Sequence, residues 1–306
     1  MKGTVTKTTG SFYWVRDDKD NIYECRLRGN LRLKDYKFTN PVVVGDRVIF
    51  EKSGESDYSI QNIEKRKNYI VRRSVKLSKQ IHIIASNIDQ AVLMITISEP
   101  KTYLEFVDRY LVTAEAYHIP AILLFNKADL CNEKEAEEMT AYINLYRQIG
   151  YKCIELSALK DDSFDEIRKI MKGKTTLFSG YSGVGKSTLL NRLDPSLNIK
   201  TSEISESFKS GKHTTTFAEM HEVKNLGMII DTPGIKGLSV IDIPKEEISH
   251  YFPEMLKLLP DCKFNNCTHI DEPSCAIKKA LEENKIDISR YRSYLSIFDE
   301  EVDKYR

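Results

Sequence analysis

Along the first 67 residues, apolar and polar positions alternate in short stretches separated by turn residues. Thr4 to Thr8, Phe12 to Arg16, Ile22 to Arg28, Val42 to Glu51 and Ile60 to Glu64 carry the two-residue period of half-buried strands. Thr9-Gly10 and Asp18 to Asn21 supply turns, while Pro41 and Gly45-Asp46 bracket apolar alternation. Five strands in so short a span predict a small closed barrel of the oligonucleotide-binding (OB) kind. An SH3-like barrel would leave much the same trace.

Near residue 88 the period changes. Ala91 to Ile97 reads as a buried strand, and Leu104, Val107, Leu111 and Ala114 follow at helical spacing. A second apolar run, Ala121 to Phe125, precedes a helix marked by Met139, Ile143 and Tyr146. Tyr151 to Glu155 predicts a strand, Phe164 to Met171 a helix and Thr175 to Phe178 a strand. Strands alternating with helices predict a mostly parallel sheet covered on both faces.

Residues 199–216 break this rhythm with a polar, Ser-, Thr- and Lys-rich stretch of loop character, before two strand-like segments at Phe217 to Val223 and Met228 to Ile230. Beyond residue 240 the pattern is helical, and Ile288, Tyr291, Leu295, Phe298 and Val302 mark one long amphipathic helix. The resulting fold class is multidomain α/β. It comprises an OB-like β-barrel (1–68), a central α/β phosphate-loop domain (69–238) and a mainly helical metal-binding domain (239–306).

Composition narrows the setting. The longest apolar runs fall far short of the ~20 residues that span a bilayer, and the N-terminus carries no hydrophobic signal region. The expectation is a cytoplasmic protein without membrane contact. Net charge is only +1, yet residues 1–80 hold 18 Lys and Arg against 10 Asp and Glu. Lys65 to Lys79 carries seven basic residues and no acid. A basic front end on a near-neutral chain suggests a polyanionic partner such as nucleic acid, the alternative being a solvated basic face. Phe12, Tyr13, Trp14 and Tyr23, interleaved with Arg16, Arg26 and Arg28, offer stacking and phosphate contacts or core packing.

Gly180-Tyr181-Ser182-Gly183-Val184-Gly185-Lys186-Ser187 fits G-x-x-x-x-G-K-[ST] at every fixed position, between a predicted strand and a predicted helix. Glycines there let backbone N–H groups converge on phosphate oxygens. Lys186 can bridge the β- and γ-phosphates, and the Ser187 hydroxyl can complete a Mg²⁺ shell; Thr188 closes the phosphate site. Asp231, 44 residues past Ser187 at a strand end, can hold Mg²⁺ through water, and the Gly234 N–H can sense the γ-phosphate.

Asn126-Lys127-Ala128-Asp129 follows the strand Ala121 to Phe125. A carboxylate at Asp129 can accept from both N1–H and the 2-amino group of guanine, donors that adenine lacks. Asn126 can bond the base's other polar edge, and the Lys127 stem can lie along the purine face. Taken alone, the tetrapeptide also fits a helix N-cap at Asp129. Ser157-Ala158, just past the next strand, offers a backbone N–H to the guanine carbonyl. Together these select GTP over ATP. The base elements precede the phosphate loop, so a GTPase sheet built from this chain is circularly permuted.

Cys262, Cys267, His269 and Cys275 form C-x₄-C-x-H-x₅-C, a ligand set for one tetrahedral Zn²⁺. Four protein ligands leave no open position, which predicts a structural role.

With these motifs in this order, the chain resembles the circularly permuted GTPases of the RsgA type over essentially its whole length. The resemblance implies a monomeric GTP hydrolase acting late in small (30S) ribosomal subunit assembly. The subunit and its 16S-type rRNA would be its partner, hydrolysis would be stimulated by the subunit, and GTP/GDP turnover would be linked to release. It also implies that Gly211-Lys212-His213-Thr214-Thr215-Thr216 is a switch segment, with Thr215 in the Mg²⁺ shell and His213 taking part in hydrolysis. The residues supply a reason for the latter. Many GTPases place a Gln just after D-x-x-G to orient water, whereas Ile235 stands there in this chain. An RNA-contacting or surface role for His213 stays open. An RNA-binding protein with a vestigial nucleotide site would not need Lys186, Ser187, Asp129 and Asp231 together, and a small-molecule kinase would leave Asn126 to Asp129 unexplained.

Overall fold

The computed structural model describes residues 1–28, 40–54, 57–73, 81–161, 164–199, 218–231 and 243–303. Five strands, β1 (Lys2–Thr8), β2 (Tyr13–Asp17), β3 (Ile22–Leu27), β4 (Arg47–Lys52) and β5 (Tyr58–Ile63), pair in the order β1-β2-β3-β5-β4. β4 returns to β1 and closes the barrel. Its interior is filled by the inward residues of each strand, among them Val5, Val15, Cys25, Val48, Phe50 and Ile60. The β2–β3 turn is set by Asp17, whose carboxylate accepts the Lys19 and Asn21 N–H groups at 2.9 Å each.

β4 starts five residues later than its apolar run predicts. Val42 to Asp46 instead forms a turn around the fully buried Asp46 carboxylate. That carboxylate accepts from the Val43 N–H (2.8 Å), Arg66 Nε (2.7 Å) and the Ser86 hydroxyl (2.6 Å). Gly45 is needed here: its φ is +91°, and a Cβ would stand 2.0 Å from the Ser86 carbonyl oxygen. The turn docks the barrel on β7 (Ile81–Ser86), which pairs with β6 (Tyr69–Arg73), a hairpin the period does not announce.

The central sheet continues through β8 (Gln90–Ile95), β9 (Ala121–Phe125), β10 (Lys152–Glu155), β11 (Lys174–Ser179), β12 (Glu219–Val223) and β13 (Gly227–Asp231), ordered β10-β9-β8-β11-β13-β12. Only β12 is antiparallel to its neighbour within this set. The unbroken apolar run of β8 follows from burial on both faces. Ala91, Leu93 and Ile95 enter the core under helices α1 (Leu104–Ala116) and α2 (Glu133–Ile149). Val92 and Met94 enter the opposite core under α3 (Asp165–Met171) and α4 (Lys186–Leu193). Met139, Ile143 and Tyr146 are the buried residues of α2, as their spacing predicts. β12 also pairs with β1 at Lys7↔Glu219, so barrel and α/β sheet form one eleven-stranded sheet.

The C-terminal part contains α5 (Ala276–Glu282), α6 (Ile288–Asp303) and a 3₁₀ segment, Lys245–Tyr251. It has a core of its own. Ile248, Phe252, Met255, Ile277, Tyr294 and Ile297 pack together with Val112 of α1. The buried stripe of α6 is also rotated from the predicted one: Arg290, Ser293, Tyr294, Ile297 and Phe298 are buried, while Ile288 is 54% exposed. A periodicity argument reads arginine as surface, and here ion pairing lets Arg290 take a core position. Among the described residues no helix is long and apolar enough to cross a membrane.

Candidate functional site

The phosphate loop leaves β11 at Ser179 and enters α4 at Lys186. It lies where chain connections diverge to opposite sides of β8 and β11, the usual ligand crevice of an open α/β sheet. Its glycines answer to contacts. A Cβ on Gly180 would meet the Met94 carbonyl oxygen at 2.6 Å, and one on Gly185 would meet Asn126 Nδ2 at 2.3 Å. Lys186 Nζ donates to the carbonyls of Gly180 (2.8 Å) and Tyr181 (2.9 Å), so the ammonium lies over the loop that would hold phosphate. Ser187 and Thr188 open the first turn of α4 and are half-buried, as is Gly183, while Val184 is buried and Ser182 exposed.

The gap at Gly185 is filled by Asn126. Its Nδ2 donates to the Val184 carbonyl at 2.6 Å, and its Oδ1 accepts the Ala158 N–H at 2.8 Å. Asn126 is 2% exposed. One side chain thus joins the ends of β9, β10 and β11. Each end of its amide makes one bond to protein, which leaves one Nδ2 hydrogen and one Oδ1 lone pair for a base edge. The Ser157 N–H is likewise donated inward, to Asp161 Oδ2 at 2.8 Å. Neither amide of Ser157-Ala158 is therefore idle in this structure.

Asp129 lies in the short helical turn Ala128–Leu130 beyond β9, with Ala128 half-buried at its start. The Ser157 hydroxyl and then Lys160, 3.4 Å away, outweigh burial and hold the Asp129 carboxyl below the usual carboxylate range. It is ionised at neutral pH, an acceptor for two N–H donors. Lys127 adopts a left-handed conformation (φ 65°) and its Nζ donates to the Glu99 carbonyl at 2.6 Å. The structure thus brings Asn126 to Asp129, Ser157-Ala158 and the phosphate loop to one end of the sheet. Asp231 ends β13 beside Phe178 of β11, its backbone in register, while its side chain lies outside what is described. His213, Thr215, the rest of Gly211 to Thr216, Gly234 and Ile235 also lie outside the described residues.

Sequence reasoning missed the supports behind this site. Phe106 of α1 packs on Tyr181 of the phosphate loop, with ring centroids 4.3 Å apart. Asp108 and Arg290, both fully buried, pair at 2.6 Å. An aspartate inside the apolar stripe of α1 was the available signal.

At the C-terminal site, the donor atoms of Cys262, Cys267, His269 and Cys275 all lie within 4.8 Å of one another. His269 Nδ1 stands 3.7 Å from Cys262 Sγ and 3.5 Å from Cys275 Sγ. Tetrahedral Zn²⁺ with its usual bond lengths gives an S···N edge of roughly 3.5 Å, so the cage fits that ion. Burial lowers the His269 pKa and favours the neutral, ligating imidazole. Its Nε2 meets the Ser249 hydroxyl at 3.2 Å, which fixes the ring. On the barrel, Tyr13 is buried, whereas half-buried Phe12 lies under Arg26 and Trp14 under Lys7.

A phosphate loop on β11, read against base motifs that come earlier in the chain but sit on β9 and β10, defines a circularly permuted GTPase. Residues 63–241 match the family model of the RsgA GTPase and residues 2–60 that of the RsgA N-terminal domain. The chain belongs to the RsgA family of GTP hydrolases. It is 53% identical to the small ribosomal subunit biogenesis GTPase RsgA of Flavobacterium johnsoniae, covering 100% of this chain and 95% of that one. Identity to the protein of the same name from Bacteroides fragilis is also 53%, covering 100% and 99%. Among solved structures, YloQ, a circularly permuted GTPase, matches with a TM-score of 0.76 at 31% identity, covering 99% of this chain and 95% of that one. YjeQ from Thermotoga maritima matches with a TM-score of 0.79 at 30% identity, covering 98% and 97%. A GTPase of this family works with Mg²⁺.

Proposed function

We propose that this chain is a cytoplasmic, monomeric GTPase that docks on the small ribosomal subunit late in its assembly. The subunit stimulates hydrolysis, and hydrolysis times release. The observation that carries the reading is Asn126, which ties the base elements to the phosphate loop in a permuted chain. The permutation places a barrel before this site and a metal cage after it. The relatives' printed role, biogenesis of the small ribosomal subunit, supplies the partner.

In this reading residues 1–68 and 239–306 contact rRNA, and residues 69–238 bind GTP and GDP. Asp129 reads guanine with its carboxylate held by the Ser157 hydroxyl, while Asn126 and Ala158 tie the base motif to the phosphate loop and Lys127 lies along the purine. Gly180 to Thr188 wrap the phosphates, and Lys186 turns from its loop carbonyls to the β- and γ-phosphates. Ser187 and Thr215 would hold Mg²⁺, which when bound neutralises charge on the phosphate oxygens; Asp231 supports that shell and Gly234 senses the γ-phosphate. His213 orients the attacking water, the task that Ile235 is unable to perform. The Cys₃His cage holds structural Zn²⁺.

The test is GTP turnover by the purified protein, alone and with small subunits, with His213→Ala alongside. Slow turnover alone, a large rise with subunits and its loss in the variant are expected. A rise that survives the substitution removes His213 from the mechanism. No response to subunits overturns the partner.

A further inference from the structure

We infer that Arg290 and Phe106 are positioning residues for the phosphate loop, acting on it from opposite faces of α1. The inference rests on the reading that Gly180 to Ser187 hold the phosphates of GTP, and adds how that loop is held.

Phe106 and Tyr110 stand four residues apart and share one face of the helix. Phe106 packs on Tyr181 at 4.3 Å between centroids, and the buried Tyr110 phenol faces Ser179, the residue before Gly180. α1 therefore braces both the start of the loop and its second residue. Asp108 projects from the other side. Its Oδ1 accepts Arg290 Nη1 at 2.6 Å and the Tyr146 hydroxyl at 2.7 Å. Arg290 spends Nε and Nη2 on the Glu254 carboxylate, at 2.7 and 3.2 Å.

Three elements meet at Asp108: α1, the helix α2 that follows the base motif, and α6 of the C-terminal part. α6 is in turn bound to the metal-cage loop. Tyr291 donates to the His269 carbonyl at 2.7 Å and Tyr294 to the Thr268 carbonyl at 2.6 Å. The two contacts of α1 differ in kind. Arg290 and Asp108 are both 0% exposed, so separating them would leave the Asp108 carboxyl without its cation in a dry interior, while Arg290 would keep only Glu254. α6 and α1 must move together. The Phe106–Tyr181 contact is a ring pair on a glycine-rich loop and adjusts at low cost. A shift of the C-terminal part is thus passed to α1 and reaches the phosphate loop through the Phe106–Tyr181 contact.

The experiment measures binding of a fluorescent non-hydrolysable GTP analogue to the full chain, without ribosomes, at a temperature where each variant is folded by circular dichroism. Phe106→Ala is expected to weaken binding about three- to tenfold, and Phe106→Tyr to restore it. Arg290→Lys, which keeps the charge but loses the fork, is expected to weaken it by a similar factor. In the double variant Phe106→Ala/Arg290→Lys the losses should not multiply, because both act through one helix. Tyr146→Phe, which removes one hydroxyl at Asp108, carries the same test if Arg290→Lys does not fold. Multiplying losses, as for independent sites, overturn the inference. So does normal affinity in Arg290→Lys and Tyr146→Phe. Lys186→Ala serves as the control: if it leaves binding intact, the phosphate-loop reading falls, and this inference with it.

Discussion

Replacing Asp129 by asparagine should reverse what the site accepts at the base edge. In the proposed reading the carboxylate offers two acceptors to the N1–H and 2-amino donors of guanine; an amide offers one acceptor and one donor, which matches the N1–H and 2-keto group of xanthine. Asp129→Asn is therefore expected to lose at least about 100-fold in GTP affinity and to gain affinity for XTP, read by competition with a fluorescent nucleotide. The Ser157 hydroxyl and Lys160 hold the carboxyl below its ordinary 3.8. A depressed pKa means the charged form is present at every pH above that value and is lost only as pH falls through the lower, folded value. GTP affinity should accordingly stay flat from pH 8 to 5 on this residue's account. Asp129 and the phosphate loop were legible because local spacing carries them. The engagement of Asn126 was not, since a tetrapeptide does not show that its amide meets Val184 and Ala158 from two other strands.

Among the elements, α2 and α6 show where periodicity succeeds and where it stops. α2 has one solvent face, an Asn132–Glu135 capping box and a left-handed Gly150 at its end, each written locally in the sequence. α6 is packed on several sides, so its stripe follows its neighbours, and a paired Arg290 displaces Ile288 from the interior. The Cys262, Cys267, His269 and Cys275 cluster sits on a packed apolar base. Chelation should therefore loosen residues 262–275 without melting the core of Phe252, Met255, Tyr294 and Ile297. Hydrogen exchange on the chelated protein checks this. Loop amides are expected to exchange at least about 100-fold faster and core amides to stay protected. Loss of protection in both would mean that the ion supports the whole C-terminal part.

Across the whole molecule, the described residues attach the barrel at two places of unequal strength. The Asp46 turn is buried and charged, with the Arg66 and Ser86 side chains and the Val43 amide converging on its carboxylate. The second attachment is the β1–β12 edge, one bridge wide among the described residues and flanked by a polar cavity of about 560 Å³ lined by Thr6, Arg16, Met220 and Met228. Pairings run in one row from Trp14 through Lys7, Glu219 and Asp231 to Phe178, linking the barrel to the strand that feeds the phosphate loop. No local pattern announces such a row, because each pairing joins segments far apart in the chain. The light attachment is set by two ion pairs, Arg16–Glu222 at 2.5 Å and Lys7–Glu219 at 3.2 Å. Glu222 is half-exposed, so its pair contributes at most about 1 kcal/mol and is screened by salt. Arg16→Glu and Glu222→Arg are each expected to lower the apparent Tm of the barrel by a few degrees at low salt. The exchanged pair, carrying both substitutions, should recover most of the loss, and molar salt should shrink all three effects. Recovery only in the exchanged pair would assign the attachment to this contact. Equal losses in all three variants would show that the Arg16–Glu222 charge pair does not hold this edge, leaving it to the Lys7–Glu219 pairing.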